Sequence, residues 1–515
     1  MTYLTVPFFT YVFAIAPVWP AWLAVNLFAM YLLLFKERFD PRTFVFWVAI
    51  VFVLPFLGFV LYLLWGSTIH MRRDGERKEE SDERYMVGES DDVPEDCSRM
   101  VSTLCGAGSD IYTSGNDVKL HWTSREGVSP LVEALSGAER TIYIEAARFL
   151  GGEDGRRLND LLCRKASEGV DVRIITSRLG LGRTPGLMAL RKAGVRHRTF
   201  HSPINSAFSV RPANRDLREL CIIDGRHGFC GMGAYMELQG RASERLERRF
   251  LADWEHASGE VSEIRNPSVS GDGFCGVQLV STGPDSSGMP MLFGYSETIS
   301  GARRTLYMTF PYLVPGDEAY NAIKQAVIAG TDVRILIPVK CRHWYQAWNS
   351  LSAANPLIEA GARVYFARKA MVKTLVVADG KVCITGSGIY NSKSLAADYG
   401  ENVIVYSEGV AGVAGAEFMA ELEDAAECLP EQLARRSLMD QVKITIAKMF
   451  MFLNRGPPVF LNMFINKGPL ADTHRCSNGR LQSHSERCQD WKVLQRRRHR
   501  SPRELSDRRK HRRGR

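Results

Sequence analysis

Imidazole and thiol side chains are the groups of this chain best suited to chemistry, and their spacing argues against a metal centre. The 515 residues include 11 cysteines and 11 histidines, with no Cys-x-x-Cys pair and no Cys/His cluster at zinc spacing. Scattered cysteines in an odd number favour free thiols over a disulfide framework. Imidazole titrates near neutrality and is nucleophilic when neutral, so the histidines are the groups to consider next.

Two similar segments, LCIIDG at 220–225 and LVVADG at 375–380, each end in Asp-Gly. Aspartate before glycine is a common turn signal, so Asp224 and Asp379 are expected in turns. The histidines nearest to these segments are expected to be ordinary surface or turn residues rather than catalytic groups. They are His197, His201, His227 and His343.

The Asp-Gly segments belong to an internal repeat. SGAERTIYI at 136–144 returns as SGARRTLYM at 300–308, and GVDVRII at 169–175 returns as GTDVRIL at 330–336. The order of the matching pieces is kept, with offsets between 155 and 167 residues. Collinear similarity of this kind indicates a duplicated module.

Each copy of the module has the pattern of alternating strands and helices. Strands are predicted at 141–146 and 170–176 in the first copy, and at 305–310 and 332–338 in the second. A helix is predicted between the two strands of each copy, at 155–168 and 317–329. The pattern predicts an α/β fold made of two homologous halves, 111–265 and 266–429, which form a bilobal domain with a site in the cleft between them.

The segment before the halves is strongly apolar. Residues 2–35 and 43–65 contain no charge, and about 20 apolar residues cross a bilayer. We therefore predict a transmembrane hairpin over 1–66 and a charged linker over 67–110. A cleaved signal peptide fits less well, because a basic start is lacking and a second span follows at once. The cations after the second span place the soluble region of this multi-pass protein in the cytoplasm.

Two segments follow the halves. The region 430–466 is amphipathic, and it fits either a helix in the membrane interface or one that packs on the soluble domain. Residues 467–515 hold 16 Lys/Arg against 5 Asp/Glu, a surplus that exceeds the formal charge of +9 of the whole chain. This composition predicts a disordered basic tail. With no folded nucleic-acid motif beside it, nucleic acid is not an expected partner.

The order of elements resembles the cardiolipin synthase family of the phospholipase D superfamily. The segments that resemble the sequence patterns of this family are PFLGFVLYLLWG at 55–66, FLADW at 250–254, GPD at 283–285, PYLVP at 311–315 and GS at 386–387. The resemblance implies that each half supplies a His-x-Lys-x4-Asp motif. One histidine would form a phosphohistidine and the other would act as acid and base, without a metal or another cofactor. The implied reaction moves a phosphatidyl group between two phosphatidylglycerols, giving cardiolipin and glycerol.

The first motif of that family falls on 217–224 of this chain. Asp224 fills the aspartate position, but Leu217 takes the histidine position and Glu219 the lysine position. The asparagine that the family places after this motif is Ala234 here. A carboxylate in place of the lysine should repel an anionic headgroup.

The second motif allows two registers one residue apart. Anchored on Lys373, the histidine position is Met371 and the aspartate position is Ala378. Anchored on Asp379, the histidine and lysine positions are Val372 and Thr374, and in both registers Ile389 takes the later asparagine position. Neither register supplies a histidine. Lys373 and Ser387 are the residues expected to contact a substrate.

Loss of both histidines removes the nucleophile and the acid together, and losses within one catalytic unit are not additive. We therefore expect a membrane-anchored, inactive relative of these phosphatidyltransferases that binds phospholipids such as phosphatidylglycerol and cardiolipin. It would serve as a lipid-binding or regulatory partner, for example of an active paralogue. The alternative is an active cardiolipin synthase or phosphatidyltransferase that uses non-standard residues.

Overall fold

The computed structural model describes most of the chain between residues 19 and 455. The described residues are 19–36, 41–54, 57–62, 69–122, 124–147, 152–177, 186–200, 216–264, 271, 273–284, 286, 288–341, 343–391, 395, 398–431 and 438–455. The predicted basic tail at 467–515 and His201 lie outside these residues.

The described residues contain fifteen strands and fourteen α-helices. The strands are β1 Tyr112–His121, β2 Thr141–Ala146, β3 Asp171–Thr176, β4 Arg196–Thr199, β5 Glu219–Ile223, β6 His227–Gly231, β7 Tyr235–Gln239, β8 Cys275–Thr282, β9 Thr305–Thr309, β10 Asp332–Pro338, β11 Arg363–Ala367, β12 Thr374–Ala378, β13 Val382–Gly386, β14 Gly400–Tyr406 and β15 Ala426–Glu427. The helices are α1 Trp19–Tyr31, α2 Pro41–Val53, α3 Leu57–Leu61, α4 Ile69–Tyr85, α5 Glu95–Gly106, α6 Ser124–Ser136, α7 Gly152–Ser167, α8 Leu187–Lys192, α9 Arg241–Ser258, α10 Pro290–Gly301, α11 Asp317–Ile328, α12 Trp344–Ala360, α13 Glu408–Glu423 and α14 Leu438–Arg455.

The strands form one sheet that runs through both halves of the molecule. Its order is β15-β11-β10-β9-β12-β13-β14-β8-β1-β7-β6-β5-β2-β3-β4. Starting from the central antiparallel β8–β1 pair, the strands of the first half follow the same plan outward as those of the second. The mixed α/β architecture with two equivalent halves is thus observed, and the halves are the two sides of one sheet.

Local sequence accounts for the strands that occupy equivalent places. β2 and β3 pair in parallel, as do β9 and β10, and the crossover in each case is a helix. The strands predicted at 141–146 and 332–338 are observed with those bounds. Most of their residues are apolar or β-branched, as expected for strands covered on both faces, and the charged exceptions are Glu145, Asp332 and Arg334.

The apolar core crosses between the halves. One cluster is confined to the first half and another is centred on the second, while the largest joins residues of both, including Phe250, Leu279, Leu375 and Val403. Helix α9 contributes to the shared cluster through Leu246, Phe250 and Trp254, which recur at the four-residue spacing of one helix face. The junction between the halves is therefore part of the main core.

The segment predicted as a charged linker contains helices α4 and α5, and α4 packs against α9. The side of α4 that faces the protein is polar. Lys78 is fully buried, Ser81 and Tyr85 are almost so, and Asp82 forms ion pairs there. Because this buried face is charged rather than apolar, apolar periodicity did not predict the helix.

The predicted transmembrane hairpin contains α1, followed by a π-helical turn at Leu32–Lys36, then α2 and α3. Trp47, Val51 and Tyr62 pack in a small apolar cluster of their own. Many other apolar side chains of these helices are exposed, among them Phe35 and Phe52. Among the described residues, none of the helices meets both the length and the apolar content of a membrane crossing.

Helix α14 lies in the segment predicted to be amphipathic. It packs against α12, with Ile444 and Ala447 buried. The amide of Asn349 in α12 donates a hydrogen bond to the Ala447 carbonyl, at 2.8 Å. The sequence left open a helix in the membrane interface or one packed on the soluble domain. The face with Ile444 and Ala447 packs on the folded domain.

Candidate functional site

Asp224, the aspartate of the first motif, holds the start of strand β2. It follows β5 with a φ of 51°, and its carboxylate accepts hydrogen bonds from the backbone amides of Glu139, Arg140 and Thr141 at 2.7–2.8 Å. Charge-assisted bonds to backbone N–H groups of this kind fix a loop strongly. The role of this residue is to hold two strands together.

Asp379 has the same surroundings in the second half. It follows β12 with a φ of 53° and accepts bonds from the amides of Arg303, Arg304 and Thr305 at 2.7–2.9 Å. Burial alone would raise the pKa of this carboxyl, but the backbone donors outweigh burial and lower it. Asp379 and Asp224 are therefore structural equivalents.

This equivalence favours one of the two possible registers of the second motif. Counting back from Asp379 as from Asp224 makes Val372 the counterpart of Leu217, and Thr374 the counterpart of Glu219. Thr374 and Glu219 are also the first residues of the equivalent strands β12 and β5. Ala378, the aspartate position of the other register, is a buried core residue of β12.

The two motif segments approach each other at the junction of the halves. Gly233 in the first half is so close that a Cβ atom there would lie 2.8 Å from the Val372 Cγ2 atom, and its φ is 83°. The backbone amide of Leu217 donates to the carbonyl of Tyr399 in the second half, at 2.9 Å. Leu217 and Val372, the predicted histidine positions in this register, thus lie near the junction, and both are aliphatic. Met371, next to Val372, packs against the shared core.

Glu219, at the predicted lysine position of the first motif, is a largely buried acid. Its Oε2 atom accepts a hydrogen bond from the Tyr235 hydroxyl at 2.8 Å. Burial, together with the nearby Asp216 carboxylate, raises the pKa of Glu219 to about 7, although the Tyr235 bond acts in the opposite direction. At neutral pH this position therefore offers a partly protonated carboxyl and no positive charge.

Lys373 is the lysine nearest to the second motif. Its ammonium pairs with Glu421 of α13 at 2.5 Å and lies 3.7 Å from the ring centroid of Trp122, a residue of the first half. Thr374, at the favoured lysine position, is buried, and its hydroxyl has no hydrogen-bond partner.

The residues predicted to be important after each motif are small or apolar, and they are buried as well. Ser387 is almost fully buried, and its hydroxyl accepts a bond from the Glu401 amide at 3.0 Å. Ala234 and Ile389, at the two asparagine positions, are also buried. Ser387 therefore joins β13 to β14.

Between the motif segments lies a buried ionic network that residue-by-residue motif matching did not reveal. Asp253 is its centre: the carboxylate lies 2.9 Å from the Lys78 ammonium, 3.4 Å from Arg218 and 3.3 Å from Arg249. Burial would raise the pKa of Asp253, but these three cations outweigh it and hold the pKa well below its usual range. The network joins α4, α9 and the residue that precedes β5.

Two further acids extend this network across the junction. Glu401 of β14 lies 3.7 Å from Arg218 and accepts a bond from Ser281. Burial raises the pKa of Glu401 to about 7, even though Arg218 and Arg249 act against it. Burial, with Asp253 and Asp216 nearby, also raises the pKa of Glu145, which is fully buried and whose carboxyl oxygens lack a hydrogen-bond partner.

The residues of this network stand in separate segments of the sequence, so no single motif contains them. Arg218 stands inside the first motif, Asp253 inside the FLADW segment, and Lys78 and Asp82 at the spacing of one helix face. The cations that could meet a phosphate are instead paired with carboxylates. An anionic ligand at this position would have to displace those partners, at a cost that grows with burial.

Three of the histidines considered from the sequence are among the described residues: His197, His227 and His343. His197 is buried in β4 and bonded to the Thr176 hydroxyl at 2.9 Å, and burial, with Arg191 nearby, lowers its pKa to about 4. His343 precedes α12 and stacks on Tyr345. His227 begins β6 and lines a shallow cavity of about 430 Å³ that also contains Asp224.

One histidine close to the junction was not considered from the sequence. His256, near the end of α9, has its ring centroid 5.1 Å from that of Phe200. Phe200 in turn contacts the ring of Tyr399 at 4.7 Å. Because His256 is far from both motifs in the sequence, the motif spacing gave no reason to predict it as a site residue.

Comparison with known proteins gives two family matches. Residues 295–424 match the model described as "Cardiolipin synthase, PLD-like domain", and residues 24–67 match "Phospholipase_D-nuclease N-terminal". The second match covers most of the predicted hairpin.

Curated relatives cover most of the chain. The chain is 28% identical to the major cardiolipin synthase of Bacillus subtilis over 465 residues, covering 82% of this chain and 96% of that protein. It is 25% identical to a cardiolipin synthase of Clostridium perfringens over 449 residues, covering 80% and 94%.

Among solved structures, phosphatidylserine synthase from Haemophilus influenzae Rd KW20 is similar in fold. The TM-score is 0.50 at 11% sequence identity, and the match covers 70% of this chain and 98% of that one. At this level of identity the likeness extends to the fold alone.

Proposed function

Since the chain belongs to the cardiolipin synthase family of the phospholipase D superfamily, we propose that it is a catalytically inactive member of that family which binds phospholipid at the membrane. Its role would be that of a lipid-binding or regulatory subunit, for example beside an active phosphatidyltransferase. The family's place is in phospholipid biosynthesis, and the ligands proposed for this member are phosphatidylglycerol and cardiolipin.

The observation that carries the proposal is the equivalence of Asp224 and Asp379. Their matching backbone contacts support a register in which the histidine positions are Leu217 and Val372. An aliphatic side chain can neither form a covalent phosphoryl intermediate nor transfer a proton. The scaffold of the family reaction would therefore be kept without its two reacting groups.

Electrostatics at the junction support the same proposal. In the family mechanism, cations stabilise the charge that develops on the phosphoryl oxygens. In this chain the lysine positions hold Glu219 and Thr374, and the nearby Arg218 is paired with Asp253 and Glu401. The cationic environment required by a phosphodiester is thereby neutralised.

Attachment to the membrane is proposed to involve the N-terminal helices. Apolar side chains such as Phe35 and Phe52 are more than half exposed, a costly state in water. We propose that these helices form the hairpin predicted from the uncharged runs, with the two halves of the sheet on the cytoplasmic side.

The test is a lipid assay on the full chain reconstituted in phosphatidylglycerol vesicles. We expect co-flotation of the protein with the vesicles and no cardiolipin above that of vesicles alone, measured by mass spectrometry. The comparison protein carries Leu217→His, Glu219→Lys, Val372→His and Thr374→Lys together. Cardiolipin formed by the wild type and lost in Glu219→Gln would overturn the proposal.

A second candidate function is phosphatidyl transfer with non-standard residues. It is favoured by one observation, the Glu219 carboxyl with a pKa near 7 bonded to the Tyr235 hydroxyl, since such a pair could exchange a proton at neutral pH. It requires a covalent phosphoryl adduct on another side chain. Intact-protein mass spectrometry under turnover conditions, showing no adduct, would count against it.

A further inference from the structure

We propose that the exposed apolar strip of helix α14 inserts into the surface of an anionic lipid bilayer. The strip consists of Leu438, Met439, Val442 and Ile446. This surface is separate from the N-terminal helices and from the junction of the halves, and it would provide a second point of contact with the membrane.

The orientation of α14 is fixed by its contacts with α12. Ala447 is fully buried and its carbonyl accepts the bond from Asn349, while Ile444 is 9% exposed. On the same side, the Lys443 ammonium lies 5.0 Å from the ring centroid of Trp348. These contacts leave the helix little freedom to rotate about its axis.

The apolar strip faces away from this packed side. Leu438 is 80% exposed, Val442 50% and Ile446 41%, and the three recur every four residues. At about 100° per residue, Val442 and Ile446 stand roughly 100–160° around the axis from Ala447 and Ile444. The helix therefore has two apolar faces, and only one of them is covered.

Charge identifies the occupant of the uncovered face as an anionic bilayer rather than a protein. Lys443 of α14 pairs with the helix acid Asp440 at 3.6 Å, whereas Lys448 is exposed. The chain beyond the helix continues into the basic segment 467–515, with 11 more cations than acids. Apolar side chains flanked by cations are typical of helices that lie in the interface of an anionic membrane. A second copy of the chain would bring the same cationic segment and be repelled.

The position of α12 and α14 relates this membrane contact to the second motif. Ala447 packs with Val314 and Tyr345 in a small cluster that Tyr312 borders. The Tyr312 hydroxyl accepts a bond from Asn391, four residues beyond Ser387, at 3.0 Å. A bilayer held at α14 would thus lie on the side of the second half that leads to the segment after its motif.

The experiment introduces a photoreactive p-benzoylphenylalanine into the full chain at one position at a time. Val442 and Ile446 test the strip, and the exposed Gln441, roughly 100–140° around the axis from them, is the control on the same helix. Protein in vesicles containing phosphatidylglycerol is irradiated, and lipid adducts are measured by mass spectrometry. We expect several-fold more adduct at 442 and 446 than at 441.

A second measurement tests the charge argument. One cation near the membrane contributes about 1 kcal/mol, so Lys448→Gln should lower the lipid adduct at position 442 by about fivefold. Vesicles of phosphatidylcholine alone should show a similar or larger loss. Circular dichroism of each variant verifies that α14 and the rest of the fold are retained.

Equal adduct at 441, 442 and 446, or adducts to a second protein instead of lipid, would overturn the proposal. The outcome does not depend on catalysis. A protein that makes cardiolipin yet shows the strip-specific adducts would refute the proposed function and leave this inference standing.

Discussion

The two halves of the sheet share a plan but differ in the groups that they bring to their junction. Asp224 and Asp379 hold equivalent strands through equivalent backbone bonds. Arg218 of the first half pairs with Asp253 of α9, and its counterpart Lys373 pairs with Glu421 of α13. The acids do not match: Glu219 and Glu145 of the first half correspond to Thr374 and Thr309, which are neutral, in the second.

This difference separates two roles that residues of one motif have: fixing the backbone and contacting a ligand. The aspartate accepts hydrogen bonds from backbone amides, and it is present in both halves. Under the proposed function, the positions that would serve a reacting phosphodiester hold different residues in the two halves. They are Leu217 and Glu219 in the first half, and Val372 and Thr374 in the second.

The largest expected effect is that of Asp253→Ala. Removing this carboxylate leaves Lys78, Arg218 and Arg249 as buried cations without their shared partner, and losses of about 3–5 kcal/mol are typical of such changes. Urea denaturation of the full chain in mild detergent, followed by tryptophan fluorescence, measures the loss. Asp332→Ala in the second half is the control, because its pairs with Arg334 and Arg363 are partly exposed and should contribute about 1 kcal/mol or less. Equal losses would show that the network is no special feature of the first half.

The two turn aspartates should have effects of similar size. Asp224→Ala and Asp379→Ala each remove three charge-assisted hydrogen bonds to backbone amides, at a cost of about 2–3 kcal/mol. Asparagine tolerates a positive φ and keeps one acceptor, so Asp224→Asn and Asp379→Asn should lose less. Thermal unfolding of the four variants gives the comparison. A large loss at one aspartate and none at the other would contradict their equivalence.

The free energy of unfolding should depend on pH through acids at the junction. Glu219 and Glu401 have pKa values of about 7 in the folded protein against 4.5 for an ordinary glutamate. The folded state thus holds these protons more tightly, and the contribution of each acid falls as pH rises from about 4.5 to about 7. The fall is at most about 1.4 kcal/mol per pH unit for each group. Glu219→Gln should flatten the profile measured between pH 5 and pH 7, whereas Thr374→Ser should leave its slope unchanged.

The smallest effect is expected at Lys373. Its ammonium pairs with Glu421 and lies on Trp122, so Lys373→Met should cost about 1 kcal/mol. Lys381→Met is the matched control in the same half, because its 3.6 Å pair with Glu408 is solvent-exposed. A loss at Lys373 no larger than the one at Lys381 would mean that Lys373 does not link the halves.

Much of the fold could be predicted because it depends on local pattern. The repeat and the apolar strands at 141–146 and 332–338 gave the α/β plan of both halves, and the family resemblance is confirmed by the matches of this chain. Helix α4 was missed since its buried face is ionic, with Lys78 at its centre. The single sheet was not predicted because the pairing of β1 with β8 joins residues about 160 positions apart.

The site could be predicted only in part, for the same reason. Sequence spacing left two registers for the second motif, and the bonds of Asp379 to Arg303, Arg304 and Thr305 were needed to favour one of them. The acids that pair with Arg218 come from two distant segments, at 253 and 401, and no periodicity connects these.

The central pairing of β1 with β8 also constrains how the protein is synthesised. When the first half leaves the ribosome, β1 can pair with β7 on one side, but its other edge stays open until 275–282 has been translated. Open strand edges invite pairing with other chains, so the nascent chain is vulnerable to aggregation during this interval. A chaperone that covers the β1 edge would give its largest benefit before β8 emerges.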